Sequence, residues 1–305
     1  MFYAGLRIAV WSVIVHRYSL LLSVFLSAGI LIAGVTPAHA QPAASSASAT
    51  SAAAQDPASD DDHATVRPVE PDFSLVNLPT TLPLPLHAGN FHLTHRFNEN
   101  LIEAGTSFTD HLASLFGLDS GATIQFEYRF GVMKHLEAIA SRTNVDRDIQ
   151  FSTKWDAFHE SGSMPIGLSA IASVEGADNF QEKYVPALGV VISRTLGKVA
   201  AVYLSPFWAH NTAAGTDQDR DTGYVGIGAR LRLRPTVFVV GEVTPRIGGY
   251  EPGEPEYAFA LEKRVGAHVF SLTFSNTSAT TYGQIARGGF ADNLQLGFNL
   301  ARKFY

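Results

Sequence analysis

From Gly89 onward, apolar and polar residues alternate along the chain with a period of two, as pleated strands with distinct faces require. Phe91, Leu93 and Phe97 open the series, and Ile124, Phe126, Tyr128 and Phe130 interleave with Gln125, Glu127 and Arg129. Further runs follow at 136–141, 149–155, 166–174, 188–193, 199–208, 225–234, 237–244, 257–264, 270–275 and 294–300, of which only 199–208 lacks a clear parity. The pattern predicts about twelve strands of roughly 7 to 12 residues. Soluble strands are shorter, whereas a tilted strand needs about 9 to 11 residues to cross a bilayer.

Spacing between the runs supplies the architecture. Links after the second, fourth, sixth, eighth and tenth runs are short, and those after the first, fifth, seventh, ninth and eleventh are mostly long, with 144–147 as the exception. Short turns at one end and long loops at the other mark an all-β, antiparallel, up-and-down transmembrane barrel with periplasmic turns and extracellular loops. An even strand number places both ends of the barrel in the periplasm.

Residues 1–40 carry Arg7 and Arg17, an apolar run from Tyr18 to Val35, and Thr36-Pro37-Ala38-His39-Ala40 before Gln41. This order of charged, apolar and small-residue regions is that of a secretory signal peptide, with an uncleaved anchor as the alternative. Residues 41–70 are almost wholly Ala, Ser, Pro and Asp with little that is bulky, so they read as a disordered periplasmic tether. The barrel is expected over 71–305, in a bacterial outer membrane.

Composition sharpens this reading. Charged residues make up 16% of the 305-residue chain and hydrophobic ones 46%, where an average soluble domain carries about 25% charged residues. A barrel explains the deficit, because Arg or Lys on the lipid face at mid-depth costs about 2–4 kcal/mol. With no Cys there is no disulfide framework or thiolate site. A net charge of −6 without a basic stripe speaks against nucleic acid.

The stretches LPTTLPLPLHAGNFHLTHRFNENL (78–101), SLFGLDSGATIQFEYRFGVMKHLEAIASRTNVDRDIQFSTKWDAF (114–158) and ALEKRVGAHVFSLTFSNTSATT (260–281) resemble an uncharacterised family of bacterial membrane-bound β-barrel proteins. The resemblance runs from about Asp72 to the C-terminus. It implies fold and location, and brings no activity or functional residues with it.

The polar parity nominates lumen-lining residues: Arg96, Glu127, Arg129, Glu137, Lys154, Arg230, Arg232, Glu242, Glu262 and Arg264. They would form either a salt-bridge network filling a narrow barrel or a charged constriction that selects solutes. In the 225–244 hairpin, Glu242 is expected diagonally near Arg230. Basic residues toward the turn end raise the hypothesis of an anion preference. In the first long loop, Ser107 with Asp110 resembles a capping box ahead of Phe108, Leu112, Leu115 and Phe116, predicting a short amphipathic helix. That helix would plug the barrel, lie on its rim, or pack as ordinary loop.

Three functions remain in play: a porin-like solute passage, a structural or interaction barrel with an occluded lumen, and a lipid-modifying enzyme. Gly162-Ser163-Met164 lacks the Gly-x-Ser-x-Gly pattern and no HExxH occurs, so catalysis is not expected, nor a metal or organic cofactor. The expected partners are outer-membrane lipids, the barrel-insertion machinery and a small solute.

Overall fold

A computed structural model describes residues 69–117, 121–161, 163–213, 221–249 and 254–305. The expected signal segment, and the expected tether as far as residue 68, lie outside the described residues.

The strands are β1 (Gly89–Phe97), β2 (Ala122–Met133), β3 (Leu136–Thr143), β4 (Ile149–Phe158), β5 (Gly167–Gly176), β6 (Glu182–Leu196), β7 (Ala200–Ala209), β8 (Thr222–Arg234), β9 (Val237–Thr244), β10 (Arg246–Gly249), β11 (Glu256–Val265), β12 (His268–Ser275) and β13 (Gln295–Phe304). Each pairs antiparallel with its neighbour. The ring closes where Gly89 of β1 meets Phe304 of β13 and where β8 meets β9. β10 continues β9 beyond Pro245 on the same partner, β8, so the thirteen strands form twelve staves of a closed barrel, as the alternation predicts. Pro245 has no N–H for the ladder, which is why the stave is broken there.

Each stave turns its apolar parity outward. Phe126, Tyr128, Phe130, Phe151, Leu188, Leu204, Ile227, Leu261, Leu272 and Phe298 are exposed. Trp155 lies near the end that carries the short turns, and Trp208 near the end that carries the long loops. The opposite parity is buried and on most staves polar, as with Asn90, His92, Thr94 and Arg96 along β1 or Ser271, Thr273 and Ser275 along β12, while β6 and β7 turn Val185, Val191, Tyr203 and Phe207 inward. This is an inside-out arrangement relative to a soluble sandwich, which would bury the apolar face.

One expected feature is corrected. The link after β5 is not long: β6 begins at Glu182 and spans 15 residues, leaving only 177–181 as the connection. Pro186 obscures this extension in the sequence, yet it pairs with Val174 and its carbonyl accepts from the His210 N–H at 2.9 Å.

Candidate functional site

The lumen is occupied by chain rather than by side chains alone. Residues 69–88, just before β1, fold into a tight hairpin inside the barrel. Ser74 bridges Pro79, the Leu75 N–H donates to the Leu78 carbonyl at 2.8 Å, and the Thr80 N–H donates to that of Phe73 at 2.9 Å. Phe73, Leu75, Val76, Leu78, Leu82 and Leu84 are all fully buried, as are Val69 and Glu70, the last two residues of the expected tether. The hairpin enters from the turn end, where the His87 N–H donates to the Gly131 carbonyl at 2.8 Å.

At its tip, three successive amides converge on one carboxylate. The Val76 and Leu78 N–H groups donate to Glu242 Oε2, each at 3.1 Å, and the Asn77 N–H donates to Oε1 at 2.7 Å. Consecutive backbone N–H groups of this kind form an anion-binding nest. Beside it, Asn77 Nδ2 donates to Glu256 at 3.0 Å, and Arg96 donates to Asn77 Oδ1 at 3.2 Å and Asn299 Oδ1 at 2.8 Å. Asn299 in turn donates to the Val76 carbonyl at 3.0 Å.

The body of the hairpin is held by wall cations. Arg230 makes a bidentate pair with Glu262 at 2.8 and 3.0 Å, and its Nη2 also donates to the Ser74 carbonyl at 2.6 Å. Arg129 pairs with Glu127 at 2.7 Å and donates to Ser74 Oγ at 3.0 Å. Lys154 sits between Glu137 at 2.6 Å and the Leu82 carbonyl at 2.6 Å. The Phe73 ring lies among three cations, Lys303, Lys154 and Arg129, at 5.1, 5.9 and 6.0 Å from its centroid, within the reach of cation–π attraction.

Small wall residues make room for the tip. On β8 the inward positions between Tyr224 and Arg230 are Gly226 and Gly228, and a Cβ on either would run into Leu78 or Leu75. These leucines join an apolar cluster with Ile171, Val191, Tyr203 and Phe207.

A second insert comes from the loop end. In the β12–β13 loop the helix Tyr282–Ala286, capped by Thr281, is entirely buried. The Gly283 N–H donates to Glu175 at 3.0 Å, Gln284 donates to Asp148 at 2.7 Å, and Tyr282 stacks on Phe207 with centroids 4.8 Å apart. Between the two inserts, Ser74, Asn77, His92, Gln125, Arg129 and Tyr282 line a small polar cavity with space for one or two waters.

Of the ten nominated residues, Arg96, Arg129, Glu137, Lys154, Arg230, Glu242 and Glu262 are buried inside the barrel, and Glu127 is half-buried beside Arg129. Arg232 and Arg264 share the inward parity but sit half-buried at the turn-end rim, where Arg232 donates to the Pro235 carbonyl at 3.4 Å. The expected approach of Glu242 to Arg230 is corrected. The two are diagonal in the register, yet Arg230 takes Glu262 and Glu242 takes the hairpin tip. The sequence signals for the missed hairpin were the apolar, proline-rich run 73–85 ahead of β1 and the inward glycines of β8.

A closed strand ring with an apolar exterior and buried charges within defines a membrane β-barrel. A family model described as a membrane-bound beta barrel domain matches residues 72–304, and the chain belongs to that family. Among solved structures, the chain is similar to the NanC porin at 8% identity and TM-score 0.45, over 72% of this chain and 99% of that one. It is also similar to an outer-membrane channel from Pseudomonas putida F1, at 11% identity and TM-score 0.46, over 72% of this chain and 97% of that one. No curated protein sequence matches it.

Proposed function

We propose that the protein is a non-enzymatic, porin-like barrel of the bacterial outer membrane whose solute path is closed by the 69–88 hairpin and opens when the hairpin leaves. Gly89 and Phe304 lie together at the turn end, which supports a periplasmic position for both ends of the barrel. The observation that carries the reading is the chemistry of the contact. The wall holds the hairpin tip through Glu242, Arg96 and Asn299, and its body through Arg230, Arg129 and Lys154. Water and a polar solute can satisfy all of these groups once the segment withdraws, leaving a path walled by polar groups except along the apolar inner face of β6 and β7. A permanent filling would more simply use apolar side chains, since a buried ion pair is often no more stabilising than a hydrophobic substitute.

The other reading, a structural barrel with a permanently occluded lumen, is favoured by the packing of Leu75 and Leu78 against Gly228 and Gly226. Conductance across a planar bilayer separates the two. The chain with its hairpin should show rare openings, and a variant lacking residues 69–86 should conduct steadily. If that variant folds and inserts but passes no current, the passage reading is wrong.

A further inference from the structure

We infer that the β1–β2 loop is a membrane-surface element, resting on the lipid headgroups beside the barrel at the loop end. Ser107 caps the helix Phe108–Ala113 with a complete capping box to Asp110, so this short helix is ordered by its own sequence. Among the described residues its apolar face is left open: Phe108 is 68% exposed, Leu112 45% and Leu115 59%. Such exposure is costly in water and calls for an apolar neighbour.

The direction in which the loop folds identifies that neighbour. Phe97 and Glu99 continue the outward parity of β1, on which Phe91, Leu93 and His95 lie. The end of the helical segment is seated on that outer face. Gly117 adopts φ +97°, and a Cβ there would stand 3.1 Å from the Phe97 Cβ and 3.3 Å from the Glu99 backbone nitrogen. His111 hydrogen-bonds Glu99, and Ser114 Oγ donates to the same carboxylate at 2.6 Å. The polar side of the helix is thus fixed to the outside of the wall, and Phe108 pairs with Phe116 at 6.0 Å on its apolar side. The Leu101 N–H and the Leu294 carbonyl, 2.8 Å apart, tie the loop base to the β12–β13 loop. Apolar side chains at the upper edge of an outward apolar belt, held there by polar anchors, form the arrangement of an interfacial amphipathic segment. The occupant that fits is the lipid already in contact with Phe97 and Phe298, and the helix extends that contact sideways.

The chain has no cysteine, so single labels report cleanly. Phe108→Cys and Leu115→Cys would each carry a nitroxide in the full protein reconstituted into phosphatidylcholine vesicles, with Glu103→Cys as a water-exposed reference and Leu261→Cys as a belt reference. Heat-modifiable gel migration confirms that each variant is folded. The ratio of collision with oxygen to collision with an aqueous nickel chelate is expected to rise well above that at Glu103→Cys, toward that at Leu261→Cys. A ratio equal to that at Glu103→Cys shows a loop in water, and protection from both agents shows a protein-covered face; either result overturns the inference.

Discussion

Glu242 is the residue on which the hairpin tip turns. A hydrogen bond to a charged group contributes about 1.5–3 kcal/mol, and three are made here. Glu242→Ala would leave those amides without an acceptor and should raise the open fraction in bilayer recordings; an unchanged open fraction would mean the nest holds nothing in place. Glu242→Gln keeps one acceptor oxygen and should lie between. Arg230 differs, because its partner Glu262 is fully buried beside it. Arg230→Ala strands that carboxylate and should cost about 3–5 kcal/mol, whereas Arg230→Met with Glu262→Met together should be close to neutral. Heat-modifiable gel migration reads both. At this scale the sequence told which residues face inward, because parity alone decides it. It did not tell their partners: Arg230 and Glu242 are diagonal in the ladder, but a segment without any period, 71–88, intervenes and bonds to both, to Arg230 through the Ser74 carbonyl and to Glu242 through the tip amides.

Among elements, the strands were legible and the inserts were not. Twelve runs of alternation correspond to twelve staves because each strand answers to only two environments, outside and lumen. The first loop was legible as a helix through Ser107 and Asp110, but its direction was not, since outward seating depends on Gly117 meeting Phe97 across twenty residues of chain. The β12–β13 insert offered still less, because its burial rests on Asp148 and Glu175 from distant staves. That insert carries a pH dependence. Asp148, at the loop end just before β4, has its carboxyl held above the ordinary range by burial, partly offset by the hydrogen bond from Gln284. A raised folded value means that seating of the insert weakens as pH rises from the ordinary carboxylate value through the raised one, and that at neutral pH the charged form opposes it. Asp148→Asn should therefore seat the insert more firmly at neutral pH and slow tryptic cleavage after Arg287; faster cleavage would contradict this. Glu99 has the opposite sign. The hydrogen bonds from His111 and then Ser114 hold its carboxyl below the ordinary range, so it steadies the first loop above that range and loses its grip as pH falls through the lowered value.

For the molecule as a whole, the missing surface charge and the filled lumen are two sides of one arrangement. Staves that turn Phe, Leu and Trp outward must turn their polar residues inward, and twelve staves enclose more space than those side chains fill. The chain resolves this with its own segments, one from each end. Withdrawal of the hairpin would take Glu70 and Asp72 with it. The buried wall would keep Glu137, Asp148, Asp156, Glu175, Glu242, Glu256 and Glu262 against Arg96, Arg129, Lys154, Arg230 and Lys303. Half-buried Glu127, Arg232, Arg246, Arg264 and Arg287 bring the two signs close to balance, with Arg232 and Arg264 at the turn-end rim and Arg246 and Arg287 toward the loops with Glu175, Glu242 and Glu256. Against the anion preference read from the arginines, the fully buried wall acids, seven against five cations, set the expectation of a mild preference for cations in the emptied lumen. The measurement is the reversal potential of the variant lacking residues 69–86 in a potassium chloride gradient. A sign showing potassium as the more permeant ion is expected, and Glu242→Gln together with Glu256→Gln in that background should move it toward zero. A chloride-selective potential would return the arginines of the wall to the leading role.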